Sequence, residues 1–167
     1  MILQLDDWKF DVDMARTMEY SAAEAADHCQ CAYCRNFYAA MDQHLPELRS
    51  LLAQFGIDAE APETLYPYDV QKDLMWYEGE YVVFGSILEK GKLPLNCNGN
   101  HLFLIEPMED DEYQLPQPLF LLSFEIAELP WILEEPMKDV ISPANEPFFL
   151  KKMWDRLMAK AGNTDIQ

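Results

Sequence analysis

The stretch Tyr81-Val82-Val83-Phe84-Gly85-Ser86-Ile87-Leu88 decides the fold. Its β-branched and aromatic residues suit a pleated surface. Apolar side chains fall on both of its faces, which predicts a central strand within Trp76 to Leu88, covered on two sides. The polar turn Glu89-Lys90-Gly91-Lys92 ends it. Downstream, His101 to Ile105 and Leu119 to Ala127 read as two further strands. The segments Asn96 to Asn100 and Met108 to Pro118 are short and turn-rich, with no room for crossover helices of about a dozen residues. An antiparallel meander is the expected connection.

Upstream of this run, apolar spacing predicts three helices. The first opens at Asp11 or Asp13, either of which can cap it, and passes through Met14 and Met18 into the alanine-rich Ala22 to Ala26. The second, about Cys31 to Gln43, aligns Cys34, Phe37, Tyr38 and Met41 at i, i+3, i+4 and i+7. The third starts at Pro46, carries Leu48, Leu51, Leu52 and Phe55 on one face, and stops at Gly56. A closing amphipathic helix, about 147–161, places Leu150, Met153, Trp154, Leu157 and Ala161 on one face and Lys151, Lys152, Arg156 and Lys160 elsewhere. Helices first, strands second and a helix last is the order of an α+β domain with helices packed on one side of an antiparallel sheet. The whole chain, 1–167, reads as one such domain, with its helical part at about 11–57 and its sheet at about 64–133.

Composition narrows the function classes. With 12 Lys+Arg against 30 Asp+Glu the net charge is −18. Each phosphate contact wants a base, so this balance argues against free nucleic acid and anionic membrane as partners. Half of the residues are apolar and 13% are aromatic, which supplies a packed core rather than a disordered acidic tail. The N-terminus, Met1 to Phe10, carries acids where a secretory signal has bases. The longest nearly apolar stretch, Leu119 to Phe124, falls far short of the ~20 residues of a membrane helix. A soluble cytoplasmic protein is expected.

Ligating residues gather in one place, His28-Cys29-Gln30-Cys31-Ala32-Tyr33-Cys34. A C-x-x-C pair lets two thiolates converge on one ion. Tetrahedral zinc would take Cys29, Cys31 and Cys34, with His28 or Cys97 completing the set. His44, ten residues beyond Cys34, would stand roughly 15 Å away along a continuous helix. The competing structural reading makes Cys31 and Cys34 an extension of the buried stripe, since free cysteine packs as a small hydrophobe. Thiol redox chemistry fits less well, because a redox C-x-x-C follows a strand and the residues before this one look helical.

Elsewhere there is no H-E-x-x-H, no G-x-S-x-G and no glycine-rich phosphate loop, and the chain has only six glycines. A catalytic site would have to be assembled from side chains distant in the sequence. Glu109-Asp110-Asp111-Glu112 and Glu134-Glu135 read as solvated acidic faces. Trp131, in the Pro-flanked segment leaving the last strand, is a candidate anchor for a partner.

The motifs Cys31-x-x-Cys34-x-Asn36-Phe37, Pro46-Glu47-Leu48, Phe55-Gly56-Ile57-Asp58, Pro62-Glu63 and Leu129-Pro130-Trp131 together resemble a loosely defined group of small uncharacterised bacterial proteins. The resemblance covers the helical third of the chain and implies a bacterial cytoplasmic origin. It assigns no activity and no residue roles. The functional expectation is therefore physical. A charge of −18 steers cationic partners, which suits a non-enzymatic interaction module that neutralises or regulates a basic protein. Zinc binding at Cys29, Cys31 and Cys34 is the alternative, and an enzyme with a dispersed site the third.

Overall fold

A computed structural model describes residues 1–71, 73–97, 101–108 and 115–137. In chain order the elements are β1 (Ile2–Leu5), β2 (Trp8–Val12), α1 (Met14–Ala26), α2 (Ala32–His44), α3 (Pro46–Gln54), β3 (Thr64–Gln71), β4 (Leu74–Glu89), β5 (Leu95–Cys97), β6 (His101–Pro107) and β7 (Leu119–Pro130). The expected α+β architecture is present, with three helices against a seven-stranded sheet among the described residues. The closing helix expected at 147–161 lies outside the described residues.

The quoted run belongs to the longest strand, the 16-residue β4. One edge of β4 pairs antiparallel with β7 from Leu74↔Pro130 to Phe84↔Leu119. Two strands share the other edge: β3 lies opposite residues 74–80 and β2 opposite residues 85–89. The changeover falls at Gly85, whose φ is +144°. A Cβ there would stand 2.1 Å from the Asp11 carbonyl oxygen. Only glycine lets the two backbones approach this closely in that conformation.

Two expectations need correction. The chain does not begin with a helix: Asp11 lies in β2, and the hairpin β1–β2 joins the sheet before α1 starts, so the sheet extends well beyond 64–133. Nor is the sheet a simple meander. Its order is β1-β2-β4-β7-β6-β5, with β7 inserted between β4 and β6. Hydrophobic pairing favours this, because β7 presents Phe120, Leu122, Phe124 and Ile126 to the core at the sheet's centre.

The helices follow their sequence signals with one difference. Asp13, not Asp11, caps α1 through a 3.2 Å bond from the Arg16 amide. The inward side of α1 is polar. Buried Thr17 accepts from the Phe84 amide at 3.1 Å, and buried Ser21 accepts from the Asp58 amide at 2.7 Å. α1 is therefore fastened by backbone donors that its hydroxyls satisfy, which explains its weak apolar face. α2 and α3 bury Phe37, Met41, Leu48 and Leu52 against Tyr77, Tyr81, Phe103 and Phe124. Gly56 stops α3 at φ +82°, as a left-handed terminator should.

Candidate metal centre

The sulfurs of Cys29, Cys31 and Cys34 all lie within 4.8 Å of one another. Local structure explains the convergence. Cys31 is the N-cap of α2, extended at φ −66° and ψ 159°, and Cys34 is the third residue of the first turn. Side chains at the N-cap and at the third helical residue face each other across a helix start, as in a capping box, so the C-x-x-C spacing brings the two thiols together. Cys29 folds back from the linker, and its sulfur accepts the Cys31 amide at 3.5 Å.

This helix start is electrostatically unfinished. Cys31 makes no side-chain capping bond, and the first turn of α2 has no acidic residue. Four backbone amides and the positive end of the helix dipole favour negative charge there, which thiolates supply. The amide of Cys31 draws the Cys29 thiol below its usual range, whereas burial pushes the Cys34 thiol well above it. Three thiolates this close repel one another, and a cation among them removes that cost. The arrangement can hold one thiophilic metal ion through three sulfurs.

Of the other predicted ligands, His28 stands beside the trio rather than in it. Its ring stacks on Tyr38 at 4.5 Å, and its Nδ1 donates to the Glu60 carbonyl at 3.2 Å. Tyr38 in turn interacts with Cys34, and burial raises its phenol far above the ordinary value. Cys97 closes β5, paired with His101 on β6, at the end of the sheet order β1-β2-β4-β7-β6-β5. The side chain of Cys97 lies outside the description. The core reading holds for Cys34, which is buried, and fails for Cys31, which is exposed.

Trp131 is placed differently from a free anchor. It is half-buried against the core, edge-on to Tyr33 at 5.7 Å, and its indole N–H donates to the Glu135 carbonyl at 2.8 Å. Asn36 holds this segment to α2. Fully buried, it donates to the Pro130 carbonyl at 3.2 Å and to the Tyr77 hydroxyl at 3.3 Å, and accepts from the Ile132 amide at 2.8 Å. Cys31-x-x-Cys34-x-Asn36-Phe37 and Leu129-Pro130-Trp131 thus meet in space. The sequence signal for Asn36 was a residue of poor helix propensity set directly before Phe37 inside an apolar helix face.

A second feature arises only from strand register. Glu78 is buried on β4, with Tyr68 donating to one oxygen at 3.3 Å, and it lies directly across from Glu125 on β7. Burial and the neighbouring Glu78 push the Glu125 carboxyl up to about 7. Glu125 binds its proton more tightly folded than unfolded, so its stabilisation is complete below about pH 4.5 and is lost as pH rises toward 7. Glu125→Gln should flatten this decline and raise stability at pH 8 by on the order of 1–2 kcal/mol, after allowing for solvent screening of a half-buried group. Urea unfolding at pH 5 and pH 8 measures it, and an equal effect at both pH values refutes it.

Comparison with protein-family models, with curated proteins and with solved structures returns no match.

Proposed function

We propose that this protein binds a thiophilic metal ion, zinc in the first instance, through Cys29, Cys31 and Cys34. The observation that carries the reading is the convergence of three sulfurs at the uncapped start of α2. Three protein thiolates leave one position of a tetrahedral ion for water or an exogenous ligand, the pattern of open rather than closed zinc sites. Reading the protein as an acidic module for a basic partner rests on the −18 charge alone, and the spent N–H and half-buried ring of Trp131 do not add to it.

Tag-free protein should carry close to one zinc per chain by elemental analysis. Cobalt substitution should give sulfur-to-metal charge-transfer absorption that Cys34→Ser weakens. A metal that binds only the folded state stabilises by about 2.7 kcal/mol at a free concentration a hundred times its dissociation constant. Chelation should then lower the thermal midpoint by about 5–10 °C. Substoichiometric metal together with an unchanged midpoint on chelation overturns the proposal.

A further inference from the structure

The first turns of α2 do more than position sulfur. Between and just beyond the ligand positions, nearly every residue grips the chain segment that leaves β7. Tyr33 packs its ring on Trp131, and its carbonyl accepts the Tyr77 hydroxyl at 2.9 Å. Arg35 pairs with Glu135 and also donates to the Gln30 carbonyl at 3.1 Å, tying the segment to the cysteine linker. Asn36 clasps Pro130 and Ile132 from both sides. Residues 130–135 therefore lie as a strap across the part of α2 that begins at the sulfur trio.

That part of the helix has the weakest local support. It has no side-chain cap and no first-turn acid, and it follows a five-residue linker, 27–31, of which four residues are exposed. An ion bridging Cys29, Cys31 and Cys34 would tie the linker, the N-cap and the first turn into one ring. Without it, the same turn keeps its strap contacts, the Tyr77 hydroxyl bonds and the Arg35–Gln30 bond, and helix ends are where local opening concentrates.

We infer that metal occupancy at the thiol trio latches residues 130–135 onto α2, and that loss of the metal releases this strap while the rest of the sheet stays folded. The inference rests on the metal reading above. It adds a regulatory consequence: the Tyr33–Trp131 contact surface is covered when the metal is bound and uncovered when it leaves.

Hydrogen exchange of the full chain, with zinc and after chelation, reads the latch directly. The reporting amides are Trp131, which donates to the Asp73 carbonyl at 2.9 Å, and Ile132, which donates to Asn36. Zinc removal should speed their exchange at least tenfold while amides of α3 and of the β6–β7 pairing keep their rates. Cys29→Ser, at an exposed position, should give the same fast exchange in the presence of zinc. Cobalt absorption on the same sample reports occupancy independently. Absence of the thiolate band overturns the metal reading itself. A thiolate band with unchanged exchange at Trp131 and Ile132 overturns the latch alone, as does a uniform rise along the whole chain.

Discussion

Gly85→Ala is expected to abolish folding of the chain as a unit, or to lower its stability by more than about 4 kcal/mol, a loss reached only by mechanisms of this severity. The new methyl carbon would stand 2.1 Å from the Asp11 carbonyl oxygen and 3.1 Å from the Asp11 carbonyl carbon and the Val12 Cα. Those atoms are backbone and cannot rotate away. The φ of +144° adds strain that an L side chain does not relieve. Relief requires β2 to separate from β4, and β2 carries Phe10, which stacks on Phe120 at 5.3 Å and meets Phe55 edge-on at 5.3 Å. Losing the strand therefore opens the core. Equilibrium unfolding followed by near-ultraviolet circular dichroism checks this, and a loss under 1 kcal/mol would show that the two strands can move apart cheaply.

Asn36→Ala should cost about 3–4 kcal/mol, although the side chain removed is small. Asn36 is 0% exposed, and its amide serves three groups on two strands and the strap. Alanine leaves the Ile132 amide and the Pro130 carbonyl without their partner, and each unsatisfied buried group costs about 1–3 kcal/mol. Asn36→Asp separates the effects. The carboxylate can still accept from Ile132 but cannot donate to Pro130, whose carbonyl it would face with a charge. Its loss should be at least as large above pH 6 and smaller in acid. Denaturant midpoints for both variants at pH 5 and pH 8 decide the point, and equal small losses in both would remove Asn36 from its role as clasp.

How far the fold could be read from sequence depended on whether its signals were local. The stripe of Cys34, Phe37, Tyr38 and Met41 is complete within 13 residues, so α2 was visible to within one residue at each end. The hairpin β1–β2 carries an equally local signal, which the expectation of a helix opening at Asp11 masks. Trp8, Phe10 and Val12 alternate with Lys9 and Asp11, and the Asp6-Asp7 pair supplies the turn, with Asp6 left-handed at φ 52°. The position of β7 was not readable, because pairing 119–130 with 74–84 rather than with a nearer strand is settled by the whole core. The candidate site divides the same way. The gathering of cysteines is a fact of spacing, but their convergence depends on the linker folding back, and the partners of Asn36 lie 94 and 96 residues away. Glu78 and Glu125 were unremarkable among 30 acids until strand register set them opposite each other.

The shared edge of β4 also bears on how the chain is made. Residues 9–12 wait for residues 85–89 to leave the ribosome before they find their place, and the opposite edge of β4 waits for 119–130. For the interval in which some thirty residues are added between these events, a nascent chain already holding β2, β3 and β4 presents the apolar run Tyr81 to Phe84 along an open edge. Open apolar edges of this kind nucleate intermolecular pairing, and long-range strand partners slow their closure. Yield in heterologous expression should therefore be limited by the rate at which β7 arrives more than by the stability of the finished sheet, and co-expression of a chaperone that covers nascent chains should recover soluble protein that stabilising substitutions in the helices do not.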